Sequence, residues 1–309
     1  MSNFEKMQAR IAVGETILMD GGMGSEFERR GLASPTVWSG GPMLTNPELV
    51  REIHEEYIKA GAEIIITNTF ATGRDSLERG DLGHKVAEAN RLGIEAAVQA
   101  RRNAGKEDSV VIAASVATMT PKEHAETPVP YEKALDTYRE QFAEMAKGGP
   151  DVAVGEMLIR ISDTLASIDA AAELGLPAWV GLSVLRDGDE LYLGIRGRHG
   201  DGGHAGETLQ DALDAIKDRD VAAVFVMHTP VDITAPGLEV VKRNWSGTFG
   251  AYAHFPRASG PDPRANVLDP QQYLEYAKGW REQGARIIGG CCGTRPDHIL
   301  ALREWLRGV

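Results

Sequence analysis

Two adjacent cysteines near the carboxyl end of the chain are the residues best suited to chemistry. Cys291 and Cys292 lie between Gly290 and Gly293, and the sequence contains no other cysteine. A structural disulfide between the two is not expected, because neighbouring Cα atoms lie closer than an unstrained disulfide prefers. Thiolates favour zinc over hard cations such as magnesium, and glycine lets the backbone turn sharply around a ligand. The pattern therefore predicts a zinc site at these two cysteines.

Two other interpretations of the cysteine pair stay open. Both thiols could be small apolar fillers, because buried cysteine packs much as a hydrophobic residue does. They could also form a redox-active pair, although the usual redox motif separates its cysteines by two residues. The flanking glycines and the position after a predicted strand favour the metal site over both.

Eight short apolar runs, each followed by a longer amphipathic stretch, indicate how the cysteines are positioned. This alternation predicts a parallel sheet with helical crossovers, and eight units favour closure into one (β/α)8 TIM barrel over an open sheet. The predicted fold is therefore α/β, with a single barrel domain over residues 1–309. The predicted strands are 16–19, 63–67, 109–114, 151–155, 177–182, 221–227, 247–251 and 286–288. The predicted helices are 46–60, 83–102, 131–147, 162–174, 209–218, 233–243, 270–283 and 296–306.

A glycine-rich and charged insertion at about residues 186–206 follows the fifth predicted strand. Its composition predicts a mobile loop over one end of the barrel. Such a loop is either a solvated excursion or a lid over the substrate, and composition does not separate the two.

Polar or metal-binding side chains follow every predicted strand. Barrel enzymes carry their chemistry at the carboxyl ends of the strands, so these residues are expected to face a common pocket. Random placement would scarcely put such a residue at every strand end. In chain order they are Asp20, Thr67 to Thr69, Ser115, Glu156, Ser183, His228, Tyr252, and the pair Cys291 and Cys292.

Composition excludes several classes of partner. The net charge of −12 argues against nucleic acid and anionic membrane surfaces, which attract clustered Lys and Arg. No GxGxxG loop follows the first predicted strand, and no GxxxxGKS or GxxxxGKT loop occurs, so a nucleotide cofactor has no support. No apolar stretch is long enough to cross a bilayer, and the first residues lack the pattern of a secretion signal. We expect a cytoplasmic enzyme that acts on small molecules, with a homo-oligomer left open.

The sequence resembles the homocysteine S-methyltransferase family over nearly its whole length. This family includes betaine–homocysteine methyltransferase and the homocysteine domain of methionine synthase. The terminal motif around the two cysteines is the most specific part of the resemblance. The matching residues are Asp20-Gly21-Gly22-Met23-Gly24, Glu26, Gly31, Trp38-Ser39, Asn46-Pro47, Ala60-Gly61-Ala62, Thr67-Asn68-Thr69-Phe70, Glu156, Ile288-Gly289-Gly290-Cys291-Cys292-Gly293 and His298-Ile299.

The resemblance implies zinc-dependent methyl transfer from a small sulfonium or ammonium donor to a thiol, with homocysteine as the default acceptor. Zinc would bind the acceptor thiol and lower its pKa, so that the sulfur attacks the donor's methyl group as a thiolate. Asp20 and Glu156, the expected catalytic pair, match positions that hold the acceptor's ammonium group. Trp38 matches a position beside the donor in the betaine enzyme, where its ring could attract an onium group. Thr69, within the second-strand motif, is also expected to contact substrate.

One departure from the family falls on the metal site. The family has a third cysteine after the sixth strand, and His228 takes its place here. His228 is then either the third ligand, giving a Cys2His site with an open position, or the mark of a site that has degenerated. A ligating imidazole also needs an outer partner for its second ring nitrogen, which the sequence does not identify. His254, after the seventh strand, is another imidazole that could reach the metal or a substrate.

A second departure falls on the donor side. Met157 stands where the betaine enzyme carries an aromatic side chain, which disfavours betaine as the donor. Two further functions therefore stay open beside the default. The chain could use a different thiol acceptor or a different donor, or it could be a catalytically inactive barrel that binds zinc or a ligand.

Overall fold

The computed structural model describes residues 1–32, 37, 39–119, 129–195, 203–255 and 268–308. Eight parallel strands form one sheet, and three antiparallel strands form a second, smaller sheet. In chain order the strands are β1 Ile17–Leu18, β2 Ile64–Ile66, β3 Val111–Ala117, β4 Val152–Leu158, β5 Ala178–Leu182, β6 Val184–Asp187, β7 Glu190–Ile195, β8 Gly203–Thr208, β9 Val221–Pro230, β10 Phe249–His254 and β11 Ile287–Gly290.

The eight-stranded sheet closes on itself, which confirms the predicted TIM-barrel fold. Its strand order is β1-β11-β10-β9-β5-β4-β3-β2. Barrel strands that follow one another along the chain therefore lie side by side, and β9 follows β5 because β6, β7 and β8 form the smaller sheet. The first and last strands of that order meet through a parallel bridge between Met19 and Ile64. Closure brings the carboxyl ends of all eight strands to one rim.

The helices between the strands cover the outside of the barrel, and their ends follow local sequence signals. At α11, the side chain of Asp269 accepts hydrogen bonds from the backbone N–H groups of Gln271 and Gln272, and Gly284 ends the helix at φ 114°. The helices are α1 Asn3–Ala12, α2 Met23–Arg29, α3 Gly40–Thr45, α4 Pro47–Ala60, α5 Arg74–Glu78, α6 Val86–Asn103, α7 Tyr131–Ala146, α8 Ile161–Glu173, α9 Leu209–Ile216, α10 Val231–Asn244, α11 Pro270–Gln283 and α12 Pro296–Arg307. None of the described helices is long and apolar enough to cross a membrane.

The inside of the barrel is packed with apolar side chains that alternate along the strands. Every second residue points inward, as the two-residue period of a strand requires. Helix α1 closes the amino-terminal end, where Met7 and Ile11 join this interior cluster and the Asn3 amide donates to the carbonyls of Glu107 and Val110. The interior cluster includes Ile17, Met19, Ile64, Ile66, Val111, Ala113, Val152, Val154, Trp179, Phe225 and Ile287. A ligand therefore has to enter from the carboxyl rim.

The insertion at about 186–206 differs from the mobile loop that its composition predicts. Its described part belongs to the antiparallel sheet β6-β7-β8, while residues 196–202 lie outside the described part of the chain. Leu191, Leu193 and Ile195 alternate along β7 and are all buried, so this strand has a true apolar face. The surrounding glycines and charges hide that alternation in the sequence.

The seventh barrel strand also differs from its prediction. The sequence predicts it at 247–251, whereas β10 runs over Phe249–His254. The strand continues because Tyr252 and Ala253 pair with Gly289 and Gly290 of β11. Tyr252 thus lies within the strand rather than after it.

Candidate active site

The two cysteines lie at the carboxyl rim, directly after β11. The backbone N–H of Cys291 donates to the carbonyl of Ala253 at 2.7 Å, which fixes this turn against β10. The Cys291 sulfur is buried and lies 3.6 Å from the sulfur of Cys292, which is partly exposed. Gly293 follows at φ 94°, a conformation that other residues rarely adopt, and so completes the turn that places both thiols on one side.

The protonation of Cys291 depends strongly on its surroundings. Burial raises the pKa of this thiol well above its ordinary value, and the neighbouring Cys292 and the charge of Glu156 raise it further. A buried thiolate is costly unless a cation lies beside it. A cation beside the Cys291 sulfur would therefore favour its ionised form.

His228 faces Cys291 from β9. Its backbone has φ 48°, in the left-handed region, where histidine is more common than most non-glycine residues. Its carbonyl accepts a hydrogen bond from the hydroxyl of Ser183 at 3.2 Å, which ties this turn to the end of β5. The residue is 9% exposed, and its ring Nδ1 lies 2.9 Å from the sulfur of Cys291. The residue at the family's third cysteine position therefore does reach the cysteine pair.

Glu156 binds the other end of the same imidazole. Its Oε2 lies 3.0 Å from Nε2 of His228, and both side chains are buried. The hydroxyl of Ser115 donates to Oε1 of Glu156. The second ring nitrogen of His228 is thus paired with Glu156, a residue predicted to face the substrate. Ser115 has no role assigned from the sequence, and its position at a strand end is the one signal that points to it.

Asp20 supplies a second buried carboxylate at the same rim. It is 2% exposed, and its Oδ2 accepts a hydrogen bond from the backbone N–H of Ile66 at 2.9 Å. Its Oδ1 is buried and has no hydrogen-bond partner among the described residues. Burial raises the pKa of Asp20 well above its ordinary value, and the nearby charge of Glu156 raises it further. An unpartnered buried oxygen of this kind indicates a place for a cationic ligand group.

The chemistry of the donor set suits zinc. Two thiols and one imidazole nitrogen are one of the ligand sets found in catalytic zinc sites, and the second ring nitrogen already has a carboxylate, a common partner of such ligands. Zinc ligands lie roughly 3.5–3.8 Å apart in a tetrahedral site. The two sulfurs lie 3.6 Å apart and match that spacing. Nδ1 of His228 lies 2.9 Å from the Cys291 sulfur, a hydrogen-bonding distance that is shorter than the separation of two zinc ligands. Within the part of the chain that the structure describes, no group of three His, Cys, Asp or Glu side chains is already arranged to hold an ion.

A small apolar wall lies beside His228. Met157, Ile159 and Ile195 form a buried cluster of their own, and the partly buried Phe70 packs against it. The ring of Phe70 lies 5.3 Å from the ring of His228. Ile195 comes from β7, so the inserted sheet contributes to this wall. We call these four residues the apolar wall.

The remaining predicted residues lie in different places. Thr69 is fully buried, and its hydroxyl donates to the carbonyl of Ser115 at 2.6 Å, so it supports the residue that binds Glu156. Trp38 lies outside the described residues. His254 is the last residue of β10 and pairs in register with Pro230. Tyr252, which has no role assigned from the sequence, donates its hydroxyl hydrogen to the carbonyl of Gly21 at 3.2 Å.

Known proteins share both the sequence pattern and the fold. A homocysteine S-methyltransferase from Zea mays is 28% identical over 100% of this chain and 99% of its own. The homocysteine S-methyltransferase YbgG from Bacillus subtilis is 25% identical over 95% of each chain. The structure of the homocysteine methyltransferase MmuM from Escherichia coli, in its metallated form, has the same fold, with a TM-score of 0.78 and 23% identity over 97% of this chain and 99% of that one. The family model described as homocysteine S-methyltransferase matches residues 17–306, and the chain belongs to that family.

Proposed function

We propose that this protein transfers a methyl group from a small onium donor to homocysteine, with zinc as its cofactor and a sulfonium as the preferred donor. The observation that best supports this proposal is that two thiols, one imidazole and two buried carboxylates lie together at one rim of the barrel. Thiols and imidazole suit the metal, and carboxylates suit the ammonium group of an amino-acid acceptor. Membership of the family supports both the reaction and the acceptor.

His228, Cys291 and Cys292 would hold the metal. Zinc bound there would lower the pKa of the homocysteine thiol and keep it ionised at neutral pH. The short distance between the Cys291 sulfur and Nδ1 of His228 supports this assignment, because it brings two of the three donor atoms together.

Asp20 and Glu156 would hold the other end of the acceptor. The unpartnered Oδ1 of Asp20 can accept a hydrogen bond from the ammonium group, and Glu156 adds a second negative charge. Burial and the charge of Glu156 both raise the pKa of Asp20, and a cation bound near the two carboxylates would offset both effects. Fixing the ammonium group also fixes the direction of the acceptor's sulfur, which lowers the entropic cost of reaching the donor.

The transfer itself needs little acid–base help from the protein. A new bond forms between the acceptor sulfur and the methyl carbon while the donor's bond to that carbon breaks. The bonding electron pair leaves with the donor, which becomes neutral, and no proton moves at the reacting carbon. Because opposite charges cancel in this step, exclusion of water favours it, and the apolar wall lies where it can exclude water.

The composition of the apolar wall supports a sulfonium over a quaternary ammonium donor. Quaternary ammonium groups are typically bound by several aromatic faces. Phe70 is the one aromatic member of the wall, and Met157, Ile159 and Ile195 are aliphatic. S-Methylmethionine and betaine, which appear in the names of two relatives, are therefore the informative pair of donors to compare.

The first prediction concerns the metal. Protein purified under reducing conditions should carry about one zinc ion per chain, and Cys291→Ala or Cys292→Ala should abolish tight binding because too few ligands remain. Metal analysis after dialysis measures this directly. A wild-type protein that stays metal-free in excess zinc, and instead forms a reversible disulfide, would favour the redox pair. A zinc-loaded protein without turnover would favour an inactive binding barrel.

The second prediction concerns Asp20. Asp20→Asn keeps the size of the side chain but removes the charge that faces the ammonium group, so KM for homocysteine should rise by about 10- to 100-fold. KM for the methyl donor and the zinc content should stay near wild type. Steady-state kinetics with each substrate varied in turn makes this comparison. A wild-type KM for homocysteine in the variant contradicts the assigned role.

The third prediction concerns the donor and the apolar wall. Ile195→Ala should raise KM for S-methylmethionine by about 10-fold and reduce discrimination against bulkier sulfonium donors, because apolar contact is lost. Leu191→Ala is the matched control. Leu191 lies on the same face of β7 and is equally buried, but it belongs to the main core rather than to the wall.

The control should leave donor selectivity unchanged. Equal KM values and equal donor selectivity in Ile195→Ala and Leu191→Ala would show that the inserted sheet does not shape the donor site. A wild-type protein that prefers betaine to S-methylmethionine would contradict the sulfonium assignment itself.

A further inference from the structure

We propose that Glu156 orients His228 as a metal ligand through Nδ1, and that one carboxylate thereby links the metal site to the ammonium site. This inference rests on the proposed function, because it takes zinc as the occupant of the cysteine pair. Glu156 is then a positioning residue for the metal as well as a binding residue for the acceptor.

The two ring nitrogens of His228 are both engaged, which fixes the ring. Nε2 lies 3.0 Å from Oε2 of Glu156, and Nδ1 lies 2.9 Å from the sulfur of Cys291. A carboxylate accepts hydrogen bonds, so it favours the tautomer with the proton on Nε2. That tautomer leaves the lone pair of Nδ1 facing the cysteines, where a metal ligand needs it.

Glu156 is itself held in place by neighbouring strands. Its other oxygen accepts the hydroxyl hydrogen of Ser115. The backbone of Ser115 is bound by two threonine hydroxyls, since its N–H donates to Thr67 and its carbonyl accepts from Thr69. The carboxylate is thus supported by the ends of β2 and β3, on the side away from the cysteines.

The backbone also turns in an unusual way on both sides of this contact. Met157, directly after Glu156, has φ 53°, and His228 has φ 48°. Among the described residues, only Asp81 is another non-glycine residue in the left-handed region. Two of these three uncommon conformations therefore lie at the strand ends that bring Glu156 and His228 together.

This link exists because the third ligand position holds a histidine. A cysteine there has no second donor group, so Glu156 could not orient it by a hydrogen bond. The removal of Glu156 should therefore weaken zinc binding only while residue 228 is histidine. That dependence separates an orienting contact from the general attraction between a negative charge and a cation.

The test is a double-mutant cycle on zinc affinity, measured by competition with a chromophoric chelator. Glu156→Ala should weaken zinc binding by about 10- to 100-fold, the usual cost of losing an outer partner, because alanine leaves the Nε2–H of His228 without this acceptor. Asp20→Ala is the matched control, because it removes a buried carboxylate whose hydrogen bond goes to Ile66 rather than to His228. It should weaken zinc binding less. In a His228→Cys background, Glu156→Ala and Asp20→Ala should agree within about twofold.

A second readout needs no variant to bind metal. The ring ¹⁵N chemical shifts of His228 in the zinc-loaded wild type, assigned by their absence in His228→Cys, should show Nε2 protonated and Nδ1 bound to the ion. A proton on Nδ1, or ligation through Nε2, overturns the inference. So does an effect of Glu156→Ala on zinc affinity that is the same in both backgrounds. A wild-type protein that binds no zinc removes the zinc part of the proposed function, whereas zinc binding without coupling removes only this inference.

Discussion

The imidazole of His228, held at both of its nitrogens, is the interaction on which the arrangement of the site depends. It connects Glu156 in β4 with Cys291 after β11, and so reaches across the rim of the barrel. Strands β5, β9 and β10 separate β4 from β11 in the sheet, so no direct backbone pairing joins these two strands. The contacts of the His228 ring therefore join Glu156 to the cysteine pair directly, in addition to the barrel backbone that carries both.

The barrel makes this contact possible in two ways, through its closed interior and through the turns at its rim. Its interior is filled with apolar side chains and closed below by α1, so polar residues can gather only at the open rim. At the rim, the strands must end in turns that point particular side chains inward. The left-handed residues Met157 and His228 and the turn at Gly293 provide those directions. The rest of the fold makes the rim rigid, and these few turns set the directions of the side chains.

Much of the fold follows from the sequence because its signals are local. The alternation of apolar runs and amphipathic stretches depends on neighbours within each segment, so the eight barrel strands can be predicted one by one. The shared rim then follows from parallel topology, which is why the sequence alone groups Asp20, Glu156, His228 and the two cysteines. The extent of β10 is harder to predict from the sequence, because it depends on pairing with β11. The sheet within the insertion is also harder to predict, because only a few residues of β7 show the apolar alternation.

The contact between Glu156 and His228 cannot be predicted from the sequence, because it depends on relations between distant strands. Each residue has a plausible role of its own, at the ammonium site and at the metal site. Only the register of β4 and β9 around β5, together with the two turns, shows that their side chains meet. Thr69 is a similar case. Its motif predicts contact with substrate, whereas in the structure its hydroxyl donates to the carbonyl of Ser115.

The most direct measurement of the proposed metal site is X-ray absorption at the zinc edge of the zinc-loaded wild-type protein, before and after homocysteine is added. We predict a first shell with two sulfurs and at least one imidazole nitrogen before the acceptor, and a third sulfur after it. A first shell without imidazole would contradict the role of His228. It would leave the barrel and the cysteine pair in place, but remove the link between the metal and Glu156.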